Sequence, residues 1–135
     1  MTSLAAIVQA LEGAGLLLRA PDGLPGITGL TADTRKLESG ALYCAVRGSV
    51  LDGHRFLGDA AAGGAAAALV EAARDDLALP QIVVRDGRRA AAVAAETWFD
   101  RPAERLTLVA VTGTNGKTTT VTLGRHVLSA LEPFG

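Results

Sequence analysis

One ten-residue stretch near the end of the chain constrains its fold more than any other. It runs from Val111 to Thr120 with the sequence VTGTNGKTTT, and it follows the apolar run Leu106 to Val111 and precedes a helical pattern. A buried strand that leads through a glycine-rich turn into a helix binds nucleotide phosphates on backbone N–H groups at the helix N-terminus. The stretch therefore predicts a phosphate-binding loop.

The residue types in this loop suit a triphosphate. Gly113 and Gly116 permit positive backbone φ angles and close approach to phosphate oxygens. Lys117 is one of only two lysines, and its flexible ammonium suits a β- or γ-phosphate, while Thr118 offers a hydroxyl to a phosphate-bound Mg²⁺. The usual signature has a glycine where Val111 stands, so this is a shortened relative of the P-loop. A ligand-free strand-turn-helix junction is the alternative, but it explains neither the lysine nor the threonines.

Composition excludes several other classes of protein. Hydrophobic residues make up 49% of the 135 residues, and the formal net charge is -1, so phosphate recognition must be local. No apolar run reaches the roughly 18 residues of a membrane span, and the N-terminus lacks the pattern of a signal peptide. We therefore expect a cytoplasmic protein that binds neither nucleic acid nor membrane. The single cysteine, Cys44, lies in an apolar run and is expected to be a buried small side chain.

Upstream of the loop, helical and strand patterns alternate. Such an order predicts an α/β domain with a largely parallel sheet. The predicted elements are a helix from Leu4 to Leu11 capped by Ser3, strands over 27–34, 42–46, 65–70 and 81–85, a helix over 56–62, and a helix capped by Asp86.

A charged segment that contains Pro102 spans residues 100–105, and we place a domain boundary there. Residues 1–104 are then a small N-terminal α/β domain, and residues 105–135 are the first strand, P-loop and helix of a nucleotide-binding domain. The only acid after Thr118 is Glu132, fourteen residues later, which is about 21 Å along a helix and too far to share a metal. We therefore expect a truncated second domain and no turnover by the 135-residue chain alone.

Two polar clusters follow predicted strands. Asp33-Thr34-Arg35 ends the strand over 27–34, and the loop from Arg47 to His54 follows the strand over 42–46. Each has a structural interpretation as well as a functional one, because polar triplets commonly end strands, Asp52 is suited to cap a helix near Gly53, and His54 alone is typical of a surface or capping residue.

Taken together, these segments resemble the start of the Mur ligases. The resemblance covers residues from about 27 to the end and is carried by Asp33-Thr34-Arg35, residues 40–48, 52–56 and 63–70, and the loop from Val111 to Thr120. It implies an ATP-dependent ligase that adds an amino acid to a UDP-N-acetylmuramoyl peptide during peptidoglycan synthesis. Thr114 makes the loop most like the MurE branch, which adds the third residue to UDP-N-acetylmuramoyl-L-Ala-D-Glu, whereas the MurF branch, which adds D-Ala-D-Ala, tends to have serine there.

The resemblance also implies roles for individual residues. ATP would be bound by Gly113, Thr114, Asn115, Gly116, Lys117, Thr118 and Thr119, with Lys117 as the catalytic cation and Thr118 as a Mg²⁺ ligand. The UDP part of the substrate would be bound by Ala32, Thr34, Ser49, Val50 and Leu51. The family usually has serine at the position of Thr34, which keeps the hydroxyl, and some relatives have polar residues at the positions of Val50 and Leu51, which here would bind through backbone groups. A carboxylate would be phosphorylated by ATP to an acyl phosphate, which the amine of the incoming amino acid displaces.

Two further interpretations compete with this one. One is a stand-alone module that binds a UDP-sugar or nucleotide without catalysis. Relatives of folylpolyglutamate or cyanophycin synthetase share the phosphate loop, but they are not expected to carry Asp33-Thr34-Arg35 together with Asp52-Gly53-His54.

Overall fold

The computed structural model of the protein describes residues 2–107 and 109–131. The chain divides between Pro102 and Ala103 into two compact units, within the charged segment 100–105. The first unit is α/β, and the described part of the second holds a 3₁₀ helix that starts at the division (Pro102–Arg105) and one long α-helix. Among the described residues, no helix combines the length and apolar character needed to cross a lipid bilayer.

A five-stranded sheet forms the centre of the first unit. Its strands are β1 (Leu17–Arg19), β2 (Leu30–Thr31), β3 (Leu42–Cys44), β4 (Ala67–Val70) and β5 (Gln81–Val84), and their spatial order is β1-β5-β4-β3-β2. Neighbouring strands from β2 to β5 are parallel, and β1 pairs antiparallel with β5 at one edge. The predicted α/β class with a largely parallel sheet is thus confirmed.

The α-helices are α1 (Leu4–Gly13), α2 (Leu57–Ala62), α3 (Gly87–Trp98) and α4 (Lys117–Leu131). Both predicted caps form: Ser3 Oγ accepts a hydrogen bond from the Ala6 N–H, and Asp86 Oδ1 accepts one from the Arg89 N–H at 2.9 Å. Further 3₁₀ helices cover Thr34–Lys36 and Gly53–Phe56. The second of these leads directly into α2. The helical segment predicted over 56–62 therefore begins at Gly53, and its first turn is a 3₁₀ helix.

Side chains that alternate along the strands build a core on each face of the sheet. Leu42 and Cys44 of β3 pack with α1 and α3, whereas Tyr43 and Ala45 pack with α2. Because both faces are covered by helices, β3 and β4 are buried at every position, which explains their continuous apolar sequences.

One predicted strand proved shorter than expected, one strand was not predicted, and one predicted strand does not appear among the described residues. The strand predicted over 27–34 has only Leu30 and Thr31, because the Asp33 side chain accepts the Arg35 N–H and turns the chain into a 3₁₀ helix. β1 was missed, since its three residues carry no alternation of their own and are fixed by pairing with β5.

The strand predicted over 106–111 is also absent from the described residues, which exclude Leu108. A strand exists only where a neighbour accepts and donates its backbone hydrogen bonds, and the described part of the second unit offers no such neighbour. The predicted helix after the phosphate loop does form, as α4. Glu132, Pro133 and Gly135, which the sequence places at its end, lie outside the described residues.

Candidate functional site

The residues predicted to bind UDP lie at one edge of the sheet. Ala32 and Thr34 follow β2, and residues 49–51 belong to the loop that follows β3. Since β2 and β3 are parallel neighbours, both segments leave the same carboxyl edge, where open α/β sheets bind ligands. The structure therefore brings the two predicted groups to a common edge.

Residues 46–53 form a tight hairpin. Arg47 pairs with Asp52 in an antiparallel bridge, the Gly48 N–H donates to the Leu51 carbonyl at 2.8 Å, and the Gly53 N–H donates to the Val46 carbonyl at 3.0 Å. Ser49 and Val50 are at its tip, where the Val50 side chain is 90% exposed. The Tyr43 hydroxyl donates to the Gly53 carbonyl at 3.0 Å and anchors the hairpin to the sheet.

The hydroxyls of this edge divide into two kinds. Thr31 Oγ1 is engaged within the chain, since it accepts the Asp33 N–H at 3.1 Å. Thr34 is half-buried and Ser49 exposed, and among the described residues neither hydroxyl has a hydrogen-bond partner. Thr34 and Ser49 are thus free to bind a polar ligand.

A bidentate ion pair fixes the segment around Thr34. Asp33 Oδ1 accepts from both the backbone N–H and the Nε–H of Arg35, and the second guanidinium contact, to Oδ2, is 2.7 Å long. The Arg35 side chain, and secondarily its backbone N–H, lowers the pKa of Asp33 to about 2. Asp33 therefore acts as a structural carboxylate that holds the turn carrying Thr34.

A polar network joins the 46–53 hairpin to the ends of β4 and β5. His54 Nδ1 lies 2.6 Å from Asp52 Oδ1, and His54 Nε2 accepts the Glu71 N–H at 2.9 Å. Glu71 Oε1 accepts the Gly87 N–H at the start of α3, and Arg47 Nε lies 3.2 Å from Glu71 Oε2. Asp52 caps the 3₁₀ helix through the His54 N–H, which, with the His54 side chain, lowers the pKa of Asp52.

His54 and Cys44 carry reactive side chains, and the surroundings of each decide its role. Both ring nitrogens of His54 are occupied by protein partners, so the ring has no nitrogen free to serve as a general base. Cys44 is buried, and burial raises the pKa of its thiol to about 12, which keeps it protonated and unreactive. The structural interpretations of Asp52 as a cap and of Cys44 as a core residue are confirmed.

The predicted phosphate loop precedes α4 in the second unit. Gly116 has a φ of +75°, which favours glycine, and the Thr120 N–H makes the first backbone bond of the helix, to the Gly116 carbonyl. The N–H groups of Lys117, Thr118 and Thr119 precede that bond and have no intrahelical acceptor. Lys117 Nζ donates to the Gly113 carbonyl, so the ammonium folds back over the loop.

These residues fit a bound triphosphate. Three helix-terminal amides, an ammonium and exposed threonine hydroxyls together supply donors for phosphate oxygens. For Mg²⁺, Thr118 offers one hydroxyl, and no group of three or more His, Cys, Asp or Glu residues that could hold a metal occurs among the described residues.

Glu71 and Arg47 are the members of this edge that sequence reasoning missed. Glu71 directly follows β4, and Arg47 opens the 46–53 hairpin, so both occupy the carboxyl edge of the sheet. Their positions in the sequence could have identified them, since each is a charged residue that follows a buried parallel strand. The sequence alone does not indicate which charged side chains form ion pairs.

A parallel α/β unit with polar loops at its carboxyl edge, followed by a glycine-rich loop that opens a helix, defines a class of nucleotide-binding proteins. Within that class the chain belongs to the Mur ligase family: the family model "Mur ligase family, catalytic domain" matches residues 26–107, more than half of the chain. The resemblance inferred from the sequence is confirmed. The phosphate loop lies just beyond the matched residues.

Two similar curated relatives carry the same name. The chain is 50% identical over 105 residues to the UDP-N-acetylmuramoyl-L-alanyl-D-glutamate--2,6-diaminopimelate ligase of Solibacter usitatus, covering 77% of this chain and 21% of that protein. It is 44% identical over 101 residues to the ligase of the same name from Geobacillus kaustophilus, with coverages of 75% and 20%. The chain thus spans about a fifth of the length of these relatives.

Solved structures of a second branch are also similar. A crystal structure of MurF from Acinetobacter baumannii superposes with a TM-score of 0.70 at 30% identity, covering 88% of this chain and 25% of that one. MurF from Thermotoga maritima, solved in complex with ADP, gives a TM-score of 0.54 at 28% identity, with coverages of 67% and 21%.

Proposed function

We propose that this chain is the N-terminal part of an ATP-dependent cytoplasmic ligase that adds an amino acid, as the third residue, to UDP-N-acetylmuramoyl-L-Ala-D-Glu. The name shared by the curated relatives favours 2,6-diaminopimelate as that amino acid. Residues 1–104 bind the UDP end of the substrate in this proposal, and residues 105–135 begin the domain that binds ATP and Mg²⁺.

The observation that carries the proposal is the pair of free hydroxyls, Thr34 and Ser49, at the carboxyl edge of two parallel neighbours. A uracil ring or diphosphate offers the acceptors that such hydroxyls and the backbone N–H groups at the hairpin tip would bind. Val50 and Leu51 expose apolar side chains there, so any polar contact they make is through their backbone. Ala32 contributes its backbone beside Thr34.

The chemistry assigns distinct tasks to the phosphate loop. Backbone N–H groups from Gly113 to Thr119 would hold the phosphates of ATP, with the Thr114 and Asn115 side chains beside them. Lys117 would leave the Gly113 carbonyl and neutralise charge that develops as the γ-phosphoryl group moves to the substrate carboxylate. Mg²⁺, when bound, supplies further neutralisation of the phosphates, and the Thr118 hydroxyl would contact it. The amine then attacks the acyl phosphate, and inorganic phosphate leaves.

The proposal is tested by replacing Lys117 with Ala in the full-length enzyme. Loss of the ammonium removes a charge that acts on the transferring phosphoryl group, so kcat should fall at least about a hundredfold. The UDP-substrate is bound by other residues, so its Kd, measured by calorimetry, should change little. Turnover is measured as phosphate released from ATP.

Arg125→Ala is the matched control, because Arg125 is an exposed cation two turns further along the same helix. It should leave kcat close to that of the wild type. Equal losses of kcat and of UDP-substrate affinity in Lys117→Ala would contradict the division of tasks between the two units.

The resemblance to MurF structures supports a second candidate, a ligase that adds D-Ala-D-Ala to the UDP-linked tripeptide. The two candidate activities are distinguished by the product that each would form. The full-length enzyme is incubated with ATP and either UDP-N-acetylmuramoyl-L-Ala-D-Glu plus diaminopimelate or the UDP-tripeptide plus D-Ala-D-Ala, and products are identified by mass. Product only in the second mixture would overturn the proposed assignment, and product in neither would favour a non-catalytic binding module.

A further inference from the structure

The His54 ring links two segments that are distant in sequence. It is mostly buried between the 46–53 hairpin and the end of β4, with 13% of its side chain exposed. On one side it contacts Asp52, the last charged residue of the hairpin, and on the other it accepts the N–H of Glu71, seventeen residues later. The ring is therefore a bridge between the hairpin and the sheet.

The geometry fixes the protonation state of this bridge. A backbone N–H only donates, so Nε2 must carry a lone pair to accept the Glu71 N–H. The single ring proton of the neutral imidazole then lies on Nδ1 and is donated to Asp52 Oδ1. A second proton on Nε2 would face the Glu71 N–H and break that hydrogen bond.

Resting on the proposed function, we propose that neutral His54 is a positioning residue that holds the 46–53 hairpin in its binding conformation, so that affinity for the UDP-substrate falls when the ring is protonated. Ser49, Val50 and Leu51 are carried by this hairpin. Protonation would release one of its attachments to the sheet without touching the phosphate loop, so affinity for ATP would be unaffected.

Several charged or titratable groups lie around the His54 ring. Asp52 contacts the ring from the hairpin, and Glu71 contacts it from the end of β4. Arg47 pairs with both carboxylates, Tyr43 of β3 donates to the neighbouring Gly53 carbonyl, and Arg88 of α3 donates to the Arg47 carbonyl. His54 lowers the pKa of Asp52 and burial raises that of Tyr43, so neither changes charge between pH 5.5 and 8.

The bridge itself can be measured without a ligand. The chain has two histidines, His54 and His126, so long-range ¹H–¹⁵N spectra of the 135-residue chain at pH 8 should show two ring systems. The His54→Gln variant identifies which system belongs to His54. We expect a protonated Nδ1 and an unprotonated, hydrogen-bonded Nε2 for His54. A proton on Nε2 would overturn the inference.

The functional consequence is measured by calorimetry on the full-length enzyme between pH 8 and 5.5. For the wild type, Kd for UDP-N-acetylmuramoyl-L-Ala-D-Glu should rise about five- to tenfold as pH falls, the equivalent of one hydrogen bond, with no parallel change for ATP. His54→Gln keeps an acceptor for the Glu71 N–H but cannot be protonated, so its Kd should stay level with pH. His54→Ala should bind weakly at every pH.

The His126→Gln variant is the control, because His126 lies on α4 of the second unit and the one partner of its ring among the described residues is the Thr122 carbonyl of its own helix. It should keep the wild-type pH dependence. A pH dependence that persists in His54→Gln would overturn the inference while leaving the proposed function intact. Failure of the wild type to bind the UDP-substrate even at pH 8 would overturn both.

Discussion

Thr34 is the residue whose single polar atom matters most to the candidate UDP site. The residue is half-buried, and its hydroxyl has no partner among the described residues, although the turn around it is fixed by the Asp33–Arg35 pair. Replacing Thr34 with Val keeps the shape and removes the hydroxyl. UDP-substrate binding, measured by calorimetry, should weaken by about 1 to 3 kcal/mol because the ligand atom that it satisfies is left unpaired.

Thr97→Val provides the comparison for this measurement. The substitution is the same and lies in the same unit, but the Thr97 hydroxyl, near the end of α3, donates to the Val93 carbonyl of its own helix, its one partner among the described residues. It should leave the affinity unchanged. Unchanged affinity in Thr34→Val as well would assign Thr34 a purely structural role.

Ionisation of the Asp33 carboxyl makes the stability of the first unit depend on pH. Its pKa is about 2 in the folded protein and about 3.9 in an unfolded chain, so the folded state binds this proton less readily. The stabilisation is complete above about pH 4 and is lost as pH falls through the folded pKa. In urea unfolding, the wild type should exceed Asp33→Asn in stability near pH 7, and the difference should shrink by pH 2.5.

Other carboxylates titrate in both proteins, so only the difference between the two curves reports on Asp33. Asp22→Asn, in the loop before β2, serves as the control and should follow the wild type at every pH. A constant difference between wild type and Asp33→Asn from pH 7 to 2.5 would show that the ion pair with Arg35 does not lower the pKa.

At the scale of elements, the 46–53 hairpin depends on close backbone packing. A Cβ on Gly53 would lie 2.8 Å from the Val46 nitrogen and 2.9 Å from its carbonyl oxygen, and backbone atoms cannot move aside cheaply. Gly53→Ala should therefore destabilise the first unit by about 1 to 3 kcal/mol, measured by urea unfolding.

Gly58→Ala is the matched substitution. Gly58 lies within α2, and a Cβ there meets no atom within 4 Å, so alanine should stabilise the helix by about 0.5 to 1 kcal/mol. If both variants shifted stability in the same direction, the close approach at Gly53 would not control the hairpin.

Element types were largely predictable, whereas their ends were not. The spacing of Leu4, Ile7 and Leu11 and the apolar run of β3 identify a helix face and a buried strand, because each pattern reflects one geometry. The end of β2 was set by the Asp33 side chain, and β1 was set by its partner β5. Neither contact leaves a periodic signal in the sequence.

For the whole molecule, the two units differ in how much they bury. The first encloses two cores, whereas no described residue of the second is buried, and α4 exposes apolar residues such as Val121 and Leu128. In hydrogen exchange on the 135-residue chain, amides of β3 and β4 should be slowed about a thousandfold or more, and those of α4 far less. Equal protection in both units would contradict this expectation.

The sequence by itself determined the α/β class and the family, and it predicted a phosphate loop, because these depend on residue type and spacing along a local stretch. It also identified Thr34 and Asp52 as residues of interest. The tertiary structure alone decided that His54 bridges Asp52 and Glu71 and is unsuited to act as a base. That contact joins residues seventeen positions apart through the parallel pairing of β3 and β4, and long-range pairing of this kind is fixed only when the sheet assembles.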